Sequence, residues 1–224
     1  MPYEITIAAA GVELEADVRM PEAPRGVVLF AHGSGSGRHS PRNQLVAGQL
    51  NDAGLATVLA DLLTPAEERI DVTTRQYRFD IGRLATRLAA LTDWSAAYQP
   101  LAGAPIGLFG ASTGAAAALV AAAVRPRVRT VVSRGGRPDL AGDYLRKVRQ
   151  PTLLIVGEAD PVVAELNREA MRELRGESRL VIVPGASHLF SEPGTLEQVA
   201  RLATEWFVTH LPYSTLEEAS WPSN

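Results

Sequence analysis

Eight short runs rich in Val, Ile, Leu and Ala recur along this chain, and several of the later ones are apolar at nearly every position: "GVVLFAH", "LATVLAD", "PIGLFG", "TLLIVG" and "RLVIVP", with "VRTVVS" among them. Continuously apolar runs of this length suit strands buried on both faces, as in a parallel sheet covered by helices. The two leading runs, "EITIA" and "VELEADVRM", differ: the second alternates apolar with polar residues, as a half-exposed hairpin strand does. Helical periodicities separate most of the runs. The pattern therefore predicts an α/β fold, a mostly parallel sheet of about seven or eight strands with helices on both faces. A chain of 224 residues suits one such domain. We expect it over 1–212, with 213–224 as a C-terminal tail.

The helices have readable ends. Ser40 and Pro41 form an N-cap and a first-turn proline, and Gly54 stands where a C-terminal cap belongs, so a helix is expected over 41–53. Tyr77, Ile81, Leu84, Leu88 and Leu91 form a core-facing stripe, with Arg75, Arg78, Arg83 and Arg87 off it. Thr195 to Gln198 resembles a capping box opening the last helix, whose apolar face holds Leu196, Val199, Ala203 and Phe207. The stretch "LLTPAEERIDVTTRQ" after the fourth strand is too short for a substantial cap domain. An open, shallow site follows, suited to small or short-chain groups.

Composition narrows the classes of function. With 22 basic and 25 acidic residues the net charge is −3, and no block of like charge stands out. Nucleic acid is thus not the expected partner, since phosphate binding needs a basic face. There is no cysteine, which removes disulfides and thiolate chemistry. The N-terminal residues lack the basic start and apolar core of a signal peptide. The longest apolar stretch, "AAAALVAAAV" at 115–124, is half of the roughly 20 residues a bilayer-spanning helix needs. The expectation is a soluble, cytoplasmic protein without membrane contact; oligomeric state is not legible. Lys147 is the single lysine, which we read as compositional bias towards arginine.

One segment carries chemistry. In "GLFGASTGAAAAL", Gly110-Ala111-Ser112-Thr113-Gly114 fits G-x-S-x-G between an expected strand and an expected helix. A strand turning sharply into a helix exposes the serine hydroxyl above the sheet, and only small neighbours fit so tight a turn. The positive end of the helix then favours an oxyanion. The bland reading is a serine N-cap after an ordinary βα turn. A nucleophilic serine needs a base and an acid to orient it. Of the four histidines, His188 in "VIVPGASHLF" follows the last strand in a loop able to fold over the sheet edge. His210 reads instead as a cation at the end of the final helix. Asp160 in "TLLIVGEADPVV" is the preferred acid, although Asp-Pro is also a good helix start. Glu158 is held in reserve; Asp139 lies in a less usual position, and Asp61 reads as a turn residue. The order Ser112, Asp160, His188 is that of α/β-hydrolases.

At these residues the chain resembles the dienelactone-hydrolase-like branch of the α/β-hydrolase superfamily, over roughly residues 24–212. The matching parts are "AHGSGSG" after the third strand, "GASTG" at the elbow, "GEADPVV" at the acid and "GASHLF" at the base. Dienelactone hydrolases proper use a cysteine nucleophile, whereas position 112 is serine, which favours a general ester or related acyl hydrolase. The resemblance also explains the glycine- and serine-rich stretch 30–43. In such folds the loop after the third strand supplies one oxyanion-hole N–H and the residue after the nucleophile supplies the other, here Ser34 and Thr113. A phosphate cradle fits poorly, because G-x-G-x-x-G would need glycine at Arg38 and no Gly-Lys-Ser/Thr follows. A metal site fits poorly too, since His32 and His39 lack carboxylates at useful spacing.

The expected reaction is attack of Ser112, activated by His188 and Asp160, on the acyl carbonyl of a small ester, with no cofactor or metal. His39 and Arg42 are candidates for the pocket rim. Arg38, Arg42 and Arg134 could favour an anionic substrate, against the alternative of scattered solvated arginines. Two other readings stay open: a non-catalytic binding or regulatory member of the fold, and an enzyme passing its acyl group to peroxide or another acceptor.

Overall fold

The computed structural model describes residues 2–211; the expected tail at 213–224 lies outside them. All eight apolar runs are strands: β1 (Tyr3–Ala9), β2 (Val12–Arg19), β3 (Val27–Ala31), β4 (Ala56–Ala60), β5 (Ile106–Ala111), β6 (Val128–Arg134), β7 (Thr152–Gly157) and β8 (Ser178–Val183). They form one sheet in the order β1-β2-β4-β3-β5-β6-β7-β8. The alternating run pairs antiparallel, β2 with both β1 and β4. All pairings from β4 through β8 are parallel. This is the mostly parallel sheet, with a hairpin at one edge, that the strand patterns predict.

Among the described residues there are six α-helices: α1 (Pro41–Asp52), α2 (Pro65–Thr74), α3 (Ile81–Ala97), α4 (Thr113–Val124), α5 (Pro161–Glu173) and α6 (Thr195–His210). The face covered by α1 and α6 packs Val46, Leu50, Val199, Ala203 and Phe207 against Val28, Phe30, Phe109 and Val132. The other face packs α3 and α4 against Leu29, Leu108 and Val131. Each fully buried Val, Leu or Phe contributes roughly 1.5–3 kcal/mol. The alanine-rich run is the buried α4, whose residues 113–122 are all sequestered from solvent. Small side chains let it lie close to the sheet below the strand end it extends. Among the described residues no helix is long and apolar enough to cross a membrane.

Three sequence expectations change. Tyr77 precedes α3 instead of belonging to it, because Asp80 caps that helix through the Arg83 N–H at 3.0 Å. Arg87 is buried, not solvated. The box expected at Thr195–Gln198 is absent: Gly194, at φ +80°, occupies the cap position, and Thr195 donates to the Glu192 carbonyl. A capping box does occur at Thr64 and Glu67, opening α2 inside the stretch read as a plain connection.

β3 is the switch point of the sheet, since the chain leaves it for β4 on one side and later returns to β5 on the other. Ligand crevices in open α/β sheets lie at the carboxyl ends of strands at such a point.

Candidate active site

Ser112 follows the last residue of β5 and is the residue immediately before α4. Its backbone lies at φ +51°, ψ −122°, a conformation that costs about 1–3 kcal/mol for a residue with a side chain. Neighbouring strands hold it there. Its N–H donates to the Arg134 carbonyl at 3.1 Å, and its own carbonyl accepts from Ala115 and Arg137 at 3.1 Å each. The two glycines of the motif have specific causes: a Cβ on Gly110 would overlap the backbone of Ala115, and one on Gly114 would overlap the Ala31 carbonyl. The turn thus leaves Ser112 partly exposed above the sheet.

His188 stands in the loop between β8 and α6. Its Nε2 is 3.4 Å from Ser112 Oγ, and its Nδ1 lies 2.6 Å from Asp160 Oδ2. With Nδ1–H donating to the carboxylate, Nε2 is left to accept the serine proton. Asp160 does precede α5 with Pro161 at its first position, but its side chain caps no helix N–H. The carboxylate turns to His188 instead. Phe190, two residues on, takes φ +54° and is buried in the α1/α6 core, anchoring the histidine loop. The loop also packs on the end of β6, where a Cβ on Gly135 would meet the His188 carbonyl at 3.1 Å.

The other acids are engaged elsewhere. Glu158 accepts from the Gly185 N–H at 2.8 Å, and Asp139 pairs with Arg137 at 2.7 Å. Asp61 accepts from the Arg38 N–H at 2.7 Å and pairs with its guanidinium, which also meets Glu15 at 2.6 Å and Asp17 at 3.3 Å. This overturns Arg38 as an anion ligand: three carboxylates already surround it, and they pin the 34–40 loop to β2 and β4.

His32 has a structural duty. Its Nε2 accepts from the Leu62 N–H at 3.0 Å and its Nδ1 donates to the Gly33 carbonyl at 3.0 Å, tying the loops after β3 and β4 together. The adjoining turn packs on Ser112, since a Cβ on Gly33 would stand 3.3 Å from Ser112 Cβ. The Ser34 N–H donates to Thr113 Oγ1 at 3.1 Å, while the Thr113 N–H, the first of α4, makes no hydrogen bond among the described residues. The two expected oxyanion donors are therefore neighbours beside Ser112. The Thr113 hydroxyl linking them is a contact that sequence reasoning missed.

A cleft of about 610 Å³ begins at Ser34 and is lined by Gly35, His39, Arg42, Leu63 and Glu68 among others. His39 is exposed on its rim, 3.7 Å from Asp17. Arg42 lines it, whereas Arg134 is buried and does not. A larger concavity of about 960 Å³, lined by Arg25, Pro100, Ile106 and Arg129, lies at the opposite end of the strands, away from Ser112. Among the described residues no three His, Asp or Glu side chains gather as metal ligands do.

Comparison with known proteins agrees with this architecture. The model of the Dienelactone hydrolase family matches residues 14–210. A Mycobacterium tuberculosis protein named as a phosphoribosyl transferase, found in two strains, is 58% identical over 209 residues, which are 93% of this chain and 46% of the relative. The chain thus spans about half the length of the curated relatives it matches. The crystal structure of a dienelactone hydrolase from Anabaena variabilis superposes with a TM-score of 0.93 and 54% identity, over 94% of this chain and 98% of the other. An α/β serine hydrolase without lid from Xanthomonas campestris shares the fold at 23% identity and a TM-score of 0.75, covering 94% and 95% of the two chains.

Proposed function

This chain belongs to the dienelactone hydrolase family of α/β-hydrolases, and from that premise we propose that it is a serine hydrolase of small carboxylic esters or related acyl compounds. The observation that carries the reading is the continuous relay from Asp160 through His188 to Ser112, at 2.6 and 3.4 Å. A hydroxyl, an imidazole and a carboxylate in that order have one efficient joint use, which is activation of the serine as a nucleophile.

In the proposed reaction Ser112 Oγ attacks the acyl carbonyl as His188 Nε2 takes its proton. Asp160 holds the imidazole and balances its charge. The Ser34 and Thr113 N–H groups donate to the tetrahedral oxyanion, for which the Ser34 N–H must leave Thr113 Oγ1 or share it. Collapse expels the alcohol, which receives the proton from His188, and water repeats the sequence to release the acid. The partly exposed serine and the short α2 connection suit a short acyl group. The activity named for the longer mycobacterial relatives belongs to those chains and is not carried over.

The test is steady-state hydrolysis of 4-nitrophenyl acetate by the wild type, Ser112→Ala and His188→Ala. Each variant should lose roughly a thousandfold or more in kcat with the fold intact by circular dichroism. Ser112→Ala with full activity would sink the proposal.

A further inference from the structure

The peptide joining Gly33 to Ser34 is held on both of its sides. Its carbonyl accepts from His32 Nδ1–H at 3.0 Å and from the Ser36 N–H at 3.2 Å, closing a tight turn in which Gly35 takes φ +67°. His32 is itself buried, and the Leu62 N–H on its Nε2 settles which ring nitrogen carries the proton. The N–H of the same peptide, on Ser34, donates to Thr113 Oγ1 at 3.1 Å. A peptide unit is a rigid plane, so turning the Ser34 N–H away from Thr113 would break both hydrogen bonds on the Gly33 carbonyl. The Ser34 N–H is thus free to be shared with an incoming oxygen, not to leave the threonine hydroxyl.

Thr113 is built to match. It is 2% exposed, and its Oγ1 accepts from Ser34 while its own proton meets no acceptor among the described residues. A threonine hydroxyl carries one proton to give as well as lone pairs to receive. Inside a helix that proton usually goes to the carbonyl three or four residues back. Thr113 opens α4, so residues 109 and 110 belong to β5 and that outlet is replaced by the sheet. Accepting the Ser34 N–H also polarises the O–H, because hydrogen bonds in a chain reinforce one another. One side chain and two backbone N–H groups therefore offer protons beside Ser112.

We propose that Thr113 is a catalytic residue through its side chain: while Oγ1 accepts from Ser34, its O–H donates a third hydrogen bond to the oxyanion formed when Ser112 attacks. No proton is transferred. The O–H stays on Thr113 and its hydrogen bond strengthens as charge builds on the carbonyl oxygen. The inference rests on the serine hydrolase reading and adds a hydroxyl to an oxyanion site otherwise made of backbone.

The test compares steady-state hydrolysis of 4-nitrophenyl acetate by the wild type, Thr113→Val, Thr113→Ser and Ser112→Ala, with folding checked by circular dichroism. Thr113→Val keeps the side-chain shape and removes the hydroxyl. It should lower kcat by roughly ten- to a hundredfold with KM changed by less than about twofold, and Thr113→Ser should bring kcat back to within about threefold of the wild type. Ethyl trifluoromethyl ketone, which forms a tetrahedral oxyanion on a nucleophilic serine, supplies a readout that a threonine merely holding the loop would not move in step. Its inhibition constant should rise in Thr113→Val by the same factor as kcat falls. If Thr113→Val does not fold, Thr113→Ala takes its place in both comparisons. A kcat equal to or above that of the wild type without the hydroxyl overturns the proposal, since the hydroxyl would then occupy the hole and not serve it. An unchanged inhibition constant, or a Thr113→Ser as slow as Thr113→Val, overturns it too. Ser112→Ala with wild-type activity, or a wild type that hydrolyses no ester, brings down the serine hydrolase reading and this proposal with it. An inactive Ser112→Ala beside a fully active Thr113→Val removes this proposal alone.

Discussion

Four buried or half-buried arginines fall into two groups with opposite surroundings. Beside α2, Arg87 donates to both oxygens of Glu67, at 2.6 and 2.7 Å, and to the Leu62 carbonyl at 2.7 Å. Arg78 pairs with the buried Asp71, whose carboxylate also accepts the N–H groups of Tyr77 and Arg78. Across the site, Arg42 and Arg134 have no such partners. Satisfied charges of the first kind hold the 62–87 segment against the sheet and leave no capacity for a ligand. Unsatisfied charges of the second kind are buried without a compensating hydrogen bond, which costs stability.

If that division is right, equivalent substitutions should have opposite effects on stability. Arg87→Met removes the bidentate pair from mostly buried Glu67, which keeps Arg83 and the Thr64 cap, and should cost about 2 kcal/mol, read by urea unfolding. Destabilisation below about 1 kcal/mol would remove the scaffold role. Acid should act on the same network. The Arg87 hydrogen bonds hold the Glu67 carboxyl down to about 2, below its ordinary 4.5. A depressed carboxyl contributes stability above its unfolded value, lost as pH falls from about 4.5 towards 2. About 1–2 kcal/mol should disappear across that window, after allowance for solvent screening, and Glu67→Gln should flatten it. Arg134→Met should have the smallest effect: stability should be unchanged or rise by about 1 kcal/mol, because an uncompensated buried charge is removed. A loss of 3 kcal/mol there would mean that Arg134 belongs with the scaffold.

The parts legible from sequence are those with a steric or periodic signature. Continuous apolar runs marked the strands, and alternation marked β2 as the antiparallel member. The elbow was legible because Gly110 and Gly114 meet backbone that no side chain could pass. Asp160 is ambiguous in sequence, since Asp-Pro opens α5 whether or not the carboxylate caps it; the contact with His188, 28 residues away, is what supports its reading as the acid. The pairing of Arg87 with Glu67 was missed because helical spacing alone put Arg87 off the apolar stripe. Its partner lies 20 residues earlier, on the helix α2 that a Thr-Pro-x-Glu signal opens. Arg38 failed for the same reason: its carboxylates come from β2 and the end of β4, distant in sequence and adjacent only in the sheet. Pairing of charges is a property of tertiary placement, which is why the contrast between the two arginine groups emerges only from the structure.

The central claim is that Ser112 is an activated nucleophile. Its most direct test is covalent labelling with a fluorophosphonate, located by peptide mass spectrometry, in the wild type and in His188→Ala. One modified peptide carrying Ser112 is expected, with labelling slowed by orders of magnitude without the imidazole. Labelling at another residue, equal labelling in His188→Ala, or none in a folded wild-type protein would contradict it.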